Sequence, residues 1–226
     1  VLRVLPTLGF VGANVTIPHK EAVLALASQA TDRARAIGAA NTLTFQPDGS
    51  FLADNTDGFG FIANLKSGAP NWQPKAGPAL ILGAGGAARG VLHALLSEGA
   101  PKILLANRTR DNAQRLADEF GPTVEVIDWT DAPTALAGAS LLVNTTSLGM
   151  QGMPPLTLDL SSLSPDCTVT DIVYVPLETD LLAAACAVGC ATVDGLGMLL
   201  HQAAPGFEAW FGHRPMVDDD LRRAVV

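Results

Sequence analysis

The chain has 226 residues, of which 48% are hydrophobic and 16% charged, and its formal net charge is −8 at pH 7. This composition indicates a globular protein with a well-buried core rather than a disordered chain. The acidic balance argues against nucleic acid and anionic membranes as partners of the surface as a whole. The uncharged apolar stretch at residues 181–193 is shorter than the roughly 20 residues that span a bilayer.

The motif GANVTIPHK occupies residues 12–20. In a strand, Asn14 and Thr16 would share one face, because side chains alternate along the strand. Pro18 lacks an N–H and therefore ends the strand and starts a helix. Lys20 falls in the first turn of that helix, where the helix dipole disfavours a cation. Its position alone indicates either a solvated lysine or one with a function.

The rest of this front region is predicted to contain a helix and two strands, at residues 20–29, 42–45 and 50–53. Asp48-Gly49 between the strands is a strong hairpin signal. Small and hydrogen-bonding residues stand at the two ends of the hairpin, in segments 38–42 and 54–58. Asp57 would there lie near Lys20 and orient it. Taken alone, the NTDG segment indicates only a turn.

Short apolar strands alternate with amphipathic helices from residue 79 onward. This pattern indicates a parallel sheet covered on both faces, a doubly wound α/β domain. Residues 67–78, with three prolines and two glycines, predict a linker in front of it. Beyond Gly197 the chain is predicted to turn helical and to fold back onto the front region. The predicted strands are 79–82, 103–106, 124–127, 141–143, 169–174 and 191–193, and the predicted helices are 87–98, 111–120, 132–137 and 177–187.

Residues 83–88, GAGGAA, fit the pattern GxGxxA between a strand and a helix. Gly83 would permit the tight turn, Gly85 would let the backbone approach a pyrophosphate, and Ala88 would allow the helix to lie close to the strand. The free N–H groups of the helix N-terminus attract the anion. The segment therefore predicts a dinucleotide site.

The end of the second strand indicates which dinucleotide binds. An NAD enzyme usually places an acid there, whereas this chain has Asn107, Arg108, Thr109 and Arg110 before Asp111. An acid would repel a 2′-phosphate, while a guanidinium binds it through two hydrogen bonds and a threonine hydroxyl can donate a third. NADP is favoured over NAD. The alternative is that Arg108 and Arg110 only cap a surface helix.

The cysteines and histidines predict no special chemistry. Cys167, Cys186 and Cys190 are odd in number and form no CxxC motif, which indicates free thiols and a cytoplasmic protein. The four histidines show no ligand spacing, so we expect no metal site.

From about residue 8 to its C-terminal helix, the chain resembles the shikimate dehydrogenase family. The resemblance rests on GANVTIPHK, GAANT, DNTDGFG, GAGGAA, NRT, NTTSLGM, DIVYVP and DGLGMLLHQA, in the family's order. It implies an α/β fold with a discontinuous substrate domain, residues 1–74 and 197–226, and a Rossmann NADP-binding domain, residues 75–196. It also implies an active site in the cleft between them and reversible reduction of 3-dehydroshikimate to shikimate with NADPH, in aromatic amino acid and chorismate biosynthesis.

The resemblance further implies roles for single residues, with Lys20 as the acid/base and Asp57 as its partner. The implied substrate contacts are Asn14, Thr16, Asn41, Gln202 and, near the carboxylate, Tyr174. The implied cofactor contacts are Gly83, Ala84, Gly85, Gly86, Ala87, Asn107, Arg108 and Thr109, with Ile172, Gly195 and Met198 lining the nicotinamide site. Many members carry a further arginine three positions after NRT; here that position is Asn112, and Arg110 is the candidate substitute.

Family members usually begin with a strand and a serine-bearing loop, SxSxSPxxHN, that binds the substrate carboxylate. No such segment precedes Val1, so we expect either a missing front part, with weak activity and retained cofactor binding, or a shortened relative. The alternatives are a quinate/shikimate dehydrogenase using NAD, an aminoshikimate relative, and a cofactor-binding protein without catalysis. The partner is expected to be a small molecule, and the protein a monomer or homodimer.

Overall fold

The computed structural model describes residues 1–226 and contains two sheets, of four and six strands. The strands are β1 (Gly12–Asn14), β2 (Gln29–Ala30), β3 (Thr42–Phe45), β4 (Phe51–Asp54), β5 (Ala79–Leu82), β6 (Ile103–Ala106), β7 (Val124–Ile127), β8 (Leu141–Asn144), β9 (Thr168–Asp171) and β10 (Ala191–Val193). The helices are α1 (Lys20–Leu26), α2 (Asp32–Ile37), α3 (Asp57–Gly68), α4 (Gly86–Ser97), α5 (Arg110–Phe120), α6 (Ala132–Ala135), α7 (Asp180–Val188), α8 (Leu196–Phe211) and α9 (Asp219–Ala224).

The six-stranded sheet has the order β10-β9-β8-β5-β6-β7, and every pairing in it is parallel. All four residues of β5 and of β8 are buried, because helices cover both faces of the sheet. The chain reverses its direction of winding between β5 and β8. Ligands bind at the carboxyl ends of the strands at such a switch point. The prediction of a doubly wound α/β fold is confirmed.

The four-stranded sheet has the order β1-β3-β4-β2. The predicted hairpin forms its centre, since β3 and β4 pair antiparallel. At the turn Gly49 has a φ of 82°, and the Asp48 carboxylate accepts the Ser50 N–H at 2.9 Å. One face of the sheet packs with Val23 of α1 into a small core that includes Leu43.

Helix α3 joins the two sheets. Its Phe61 and Leu65 belong to the same core cluster as residues of α4 and of the six-stranded sheet. A Cβ at Gly58 would lie 2.8 Å from the Gly90 carbonyl oxygen of α4, and one at Gly60 would lie 2.7 Å from the Met198 carbonyl oxygen of α8. The two glycines therefore allow α3 to contact both neighbouring helices at backbone distance.

The observed elements depart from the predictions mainly in the front region. The helix predicted over residues 20–29 ends at Leu26, because Gln29–Ala30 pairs with β4 as an edge strand. Helix α3 was not predicted, because its first residues were interpreted as a turn and its last two, Ser67 and Gly68, as linker. The start of the chain forms a 3₁₀ helix, Leu2–Leu8, with no buried residue.

In the six-stranded sheet the predicted strands 79–82, 103–106, 124–127 and 191–193 are confirmed to the residue. The strand predicted at 169–174 is wrong at both ends, since β9 is Thr168–Asp171. Beyond it the chain crosses the end of the sheet, and the next helix begins at Asp180 instead of residue 177. None of the helices combines the length and the apolar character that crossing a bilayer requires.

Candidate active site

A lysine and an aspartate, each the first residue of a helix, form a nearly buried ion pair. Lys20 begins α1 and Asp57 begins α3. Lys20 Nζ lies 2.6 Å from Asp57 Oδ2, and the two side chains are 12% and 6% exposed. Asp57 lies at a helix N-terminus, where an anion is favoured, and its charge offsets the unfavourable position of the lysine at the start of α1. The ammonium is therefore held in a fixed direction.

Asn41 connects this pair to α8. Its Nδ2 donates to Asp57 Oδ1 at 2.9 Å and to Gln202 Oε1 at 2.7 Å. Its Oδ1 accepts the Thr56 N–H at 2.8 Å and the hydroxyls of Thr42 and Thr56 at 3.0 and 3.1 Å. Asn41 is 2% exposed and all of its polar atoms are satisfied. It fixes the second carboxylate oxygen of Asp57, which leaves Oδ2 for the lysine.

Asn14 and Thr16 lie on either side of the end of β1. Asn14 Nδ2 donates to the Asn41 carbonyl oxygen at 3.3 Å and to Thr42 Oγ1 at 3.4 Å, and its side chain is otherwise exposed. Thr16 is exposed and outside the strand, and its carbonyl accepts the N–H of His19 in a turn. The prediction that both residues share a strand face is wrong, because the strand ends at Asn14.

The ion pair directly faces the first turns of α4. A Cβ at Gly86 would lie 3.6 Å from Lys20 Cδ, and a Cβ at Gly90 would lie 3.0 Å from Asp57 Cβ. The alkyl chain of the lysine therefore runs along the first residue of α4. The fold brings the pair predicted in the front region together with the glycine loop predicted after β5.

The glycine loop itself is open on its outer side. Gly83 has a φ of 104°, and a Cβ there would lie 2.7 Å from Thr145 Oγ1 of the neighbouring strand end. Nothing lies within 4 Å of a Cβ built on Gly85. No side chain caps the N-terminus of α4, so its first N–H groups remain free for an anion. Gly83, Ala84, Gly85, Gly86 and Ala87 form one continuous turn into this helix.

The segment after β6 lies beside that loop. Asn107 Oδ1 accepts the N–H of Ala84 at 3.1 Å, and Asn107 Nδ2 donates to the Thr109 carbonyl at 2.8 Å. Arg108 and Thr109 are exposed, and no side chain caps the helix that follows them. Arg110 pairs with Asp128 at 2.5 Å. Arg108 is therefore the free cation of this segment, and Arg110 is already engaged.

The predicted nicotinamide-lining residues lie at the carboxyl end of β9 and at the start of α8. A Cβ at Gly195 would lie 2.3 Å from the Ile172 carbonyl oxygen, so the two backbones are in contact. Met198 is buried, and Ile172 packs against the core cluster to which it belongs. Tyr174 is 44% exposed and its hydroxyl makes no hydrogen bond. The structure thus groups Ile172, Gly195 and Met198, and leaves Tyr174 outside this group.

A buried carboxylate, Asp171, supports the segment that carries Ile172. Its role was not predicted from the sequence. Asp171 is 1% exposed and accepts hydrogen bonds from Asn144 Nδ2, the Val173 N–H and Thr179 Oγ1 at 3.0, 3.0 and 2.9 Å. Burial raises the pKa of Asp171, and these hydrogen bonds oppose the rise. The carboxylate ties β8 to β9 and to the start of α7. The sequence signal for it was that two adjacent buried strands each end in a polar residue, β8 in Asn144 and β9 in Asp171.

No three side chains of His, Cys, Asp or Glu lie together in a group that could hold a metal ion.

Comparison with known proteins gives a consistent result along the whole chain. A model described as shikimate dehydrogenase substrate binding domain matches residues 1–43. Models of shikimate / quinate 5-dehydrogenase and of the shikimate 5′-dehydrogenase C-terminal domain match residues 69–150 and 195–223.

Curated relatives are similar over all 226 residues. A shikimate dehydrogenase (NADP(+)) of Paracoccus denitrificans is 62% identical and one of Jannaschia sp. is 59% identical, and the chain covers 80% and 81% of their lengths.

Two solved structures illustrate the structural likeness. Quinate dehydrogenase from Corynebacterium glutamicum in complex with NAD has a TM-score of 0.90 at 36% identity, covering 100% of this chain and 82% of its own. The shikimate 5-dehydrogenase from Thermus thermophilus in complex with NADP(H) and shikimate has a TM-score of 0.80 at 38% identity, covering 92% and 75%.

Proposed function

Because the chain belongs to the shikimate dehydrogenase family, we propose that it catalyses the reversible, NADP-dependent reduction of 3-dehydroshikimate to shikimate, with Lys20 as the acid/base and Asp57 as its partner. The observation that carries the proposal is the position of the Lys20–Asp57 pair against Gly86, the first residue after the glycine loop. A proton donor next to a dinucleotide site is what carbonyl reduction requires.

Lys20 has two tasks in this reaction. In its ammonium form it donates a proton to the carbonyl oxygen and stabilises the negative charge that develops there. In the direction of oxidation the neutral amine takes the hydroxyl proton. Asp57 holds the Nζ atom at 2.6 Å, so that the lysine needs little reorganisation when the substrate arrives.

The substrate is proposed to lie between the ion pair and the ends of β1 and α8. Asn14, Thr16, Asn41 and Gln202 would contact the ring hydroxyls, and Tyr174 would lie near the carboxylate. The exposed side chains of Asn14 and Thr16 can donate to and accept from a polyol. Gln202 Nε2 donates to the Leu199 carbonyl at 3.1 Å and keeps a second N–H for the substrate.

The residues present fit NADP. Gly85 leaves space where a Cβ would stand, and the uncapped N-terminus of α4 faces it, as a pyrophosphate requires. Arg108, Thr109 and the uncapped N-terminus of α5 would hold the 2′-phosphate, and Asn107 shapes the turn between them. Ile172, Gly195 and Met198 would line the nicotinamide site. When bound, the dinucleotide supplies the hydride.

We further propose the division into a substrate domain, residues 1–74 and 197–226, and a dinucleotide domain, residues 75–196. The two sheets and the return of α8 onto α3 support this division. We also propose a cytoplasmic monomer or homodimer. All three cysteines are free, and burial together with Cys190 raises the pKa of the Cys167 thiol to about 12.

A second candidate is a quinate/shikimate dehydrogenase that uses NAD. The likeness to a quinate dehydrogenase in complex with NAD favours it. Against it stands the segment after β6, where the unpartnered Arg108 occupies a region that an acid occupies in most NAD enzymes.

Steady-state oxidation of shikimate and of quinate with NADP⁺ and with NAD⁺ tests the proposal. The highest kcat/KM is expected for shikimate with NADP⁺. A higher value for quinate with NAD⁺ would replace the proposal with the second candidate. A rise in melting temperature with NADPH, without oxidation of either substrate, would instead indicate a cofactor-binding protein without catalysis.

A further inference from the structure

Arg89, in the first turn of α4, carries a side chain that is only 12% exposed, the same fraction as Lys20. No proposed contact with substrate or cofactor involves it. Its guanidinium extends away from the glycine loop toward α1 and α2, two helices of the unit that contains the four-stranded sheet. A desolvated cation between two structural units indicates a specific structural task.

The first contact of Arg89 is with the end of α2. Its Nη1 donates to the carbonyl oxygen of Ile37, the last residue of that helix, at 3.2 Å. Such a carbonyl lacks an intrahelical partner, and a cation there is favoured by the helix dipole. The helix ends at Gly38, which has a φ of 72°, and a Cβ there would lie 2.9 Å from Nη1. A glycine at this position lets the guanidinium approach.

The second contact is a two-pronged ion pair with α5. Arg89 Nη1 and Nη2 donate to the two carboxylate oxygens of Glu119 at 2.5 and 3.0 Å. The hydrogen bond from Arg89 lowers the pKa of Glu119. Because Glu119 belongs to the same unit as α4, it holds the guanidinium in the orientation that reaches α2.

The third contact is with α1. Glu21 Oε1 lies 3.6 Å from Arg89 Nε. Glu21 directly follows Lys20, whose alkyl chain runs along Gly86, one helical turn before Arg89. Two consecutive residues of α1 therefore contact the first turn of α4. Lys20, the catalytic candidate, contacts Gly86, and Glu21 contacts Arg89.

We propose that Arg89 is a positioning residue for the reaction. It ties α1 and α2 to α4 and so fixes the distance between the Lys20 ammonium and the glycine loop. This inference rests on the proposed function for its effect on turnover, but the clamp itself does not depend on it. A lysine cannot replace the guanidinium, because one compact ammonium cannot bond both Glu119 oxygens and the Ile37 carbonyl in this geometry.

The chain offers a matched control in a second ion pair between the same two units. Lys66 of α3 and Glu98, the residue directly after α4, lie 2.8 Å apart, with side chains 54% and 30% exposed. This pair also links the units, but its cation is half exposed, whereas the Arg89 side chain is 12% exposed. The carboxylates that pair with Arg89, Glu119 and Glu21, are themselves 50% and 63% exposed, so the two sites differ in the burial of the cation and in its bond to the Ile37 carbonyl. Removing it should leave the lysine and the glycine loop in place.

The experiment compares Arg89→Met, Arg89→Lys and Lys66→Met with the unmodified chain, by shikimate oxidation with NADP⁺ and by amide hydrogen exchange. For Arg89→Met we expect kcat to fall roughly 10- to 100-fold, because a misplacement of about 1 Å can cost that much. The KM for shikimate should change less than kcat. The kcat of Arg89→Lys should lie between those of Arg89→Met and the unmodified chain, and the kcat of Lys66→Met should equal that of the unmodified chain.

Hydrogen exchange tests the clamp without reference to turnover. Amides of residues 20–26 and 37–41 should exchange faster in Arg89→Met and Arg89→Lys but not in Lys66→Met. If both Arg89 variants exchange like Lys66→Met in these segments, the clamp does not exist. Faster exchange with unchanged kcat would overturn the positioning role. If the unmodified chain oxidises no shikimate, the proposed function fails, and the clamp is decided by exchange alone.

Discussion

The two walls of the candidate active site differ in how their polar groups are satisfied. On the wall next to the four-stranded sheet, Asp57 and Asn41 are buried, the Lys20 side chain is 12% exposed, and Asp57 bonds both of the others. On the wall built by the six-stranded sheet, the glycine loop is uncapped and Arg108 is exposed and unpaired. The acid/base pair is therefore satisfied without a ligand, whereas the dinucleotide wall presents free donors.

This difference separates the groups that act on the transition state from the groups that bind the cofactor. A buried, hydrogen-bonded acid/base is organised before the substrate arrives, and such preorganisation favours the transition state. Free N–H groups and a free guanidinium gain their partners only when an anion binds. Substitutions on the first wall should therefore lower turnover or stability, and those on the second should weaken cofactor binding.

The largest effect is expected from Lys20→Ala. Removal of the proton donor should lower kcat for shikimate oxidation about 10²- to 10⁴-fold, the usual contribution of general acid–base catalysis. The KM for NADP⁺ should stay nearly unchanged, because the lysine contacts the loop only through its alkyl chain. His19→Ala is the control, since the neighbouring side chain makes no capping hydrogen bond. Near-normal turnover of Lys20→Ala would exclude this residue from the chemistry.

Asn41→Ala should have the next largest effect, on stability. It leaves the Thr56 N–H and one Asp57 oxygen without their partner in a buried site, and each unsatisfied group costs about 1–3 kcal/mol. Urea denaturation should show that loss in the free energy of unfolding. Asn71→Ala, at an exposed linker position, should change it by less than about 0.5 kcal/mol. Equal losses in the two variants would contradict the role given to Asn41.

Sequence reasoning predicted the second wall better than the first, and the reason is physical. Strands buried on both faces are continuous apolar runs, so β5 and β6 and the glycine loop between β5 and α4 were visible in the sequence. The NADP preference followed from residues adjacent in the chain, Asn107 to Arg110.

The first wall depends on contacts between distant segments, which a local pattern does not encode. Asn41 bonds Gln202 across 161 positions, and Arg89 reaches Ile37 across 52. Helix α3 was missed because the NTDG segment that starts it is also a good turn. The hairpin placed Asp57 near Lys20, but position alone left the lysine as readily solvated, and its role as the acid/base followed only from the family resemblance.

Arg108→Leu should separate the two cofactors. Loss of a charge-assisted hydrogen bond of about 1.5–3 kcal/mol should raise the KM for NADP⁺ roughly 10- to 100-fold and leave that for NAD⁺ nearly unchanged. Arg110→Leu is the control, because that guanidinium is paired with Asp128 and should contribute less. Equal weakening of both cofactors by Arg108→Leu would mean that Arg108 does not contact a 2′-phosphate.

The smallest effect is a pH dependence that originates at Asp171. Burial raises the pKa of this carboxyl in the folded state, so the folded protein holds the proton more tightly than the unfolded chain. Stability should therefore fall as the pH rises from the unfolded value of about 3.9 through the raised folded value. Asp171→Asn cannot titrate and should lack this fall. The test is to measure the free energy of unfolding of both proteins as the pH is raised from about 3.9. Parallel curves for the two proteins would mean that the pKa of Asp171 is not raised in the folded state.

The central claim is that Lys20 protonates the substrate oxygen across the cleft from the nucleotide. A crystal structure of the chain with shikimate and NADP⁺ tests it most directly. We predict that Lys20 Nζ lies within about 2.6–3.2 Å of the hydroxyl oxygen that is oxidised, on the carbon nearest the nicotinamide ring. A shikimate molecule whose reacting hydroxyl is bonded to another side chain, with Lys20 still directed only at Asp57, would contradict it.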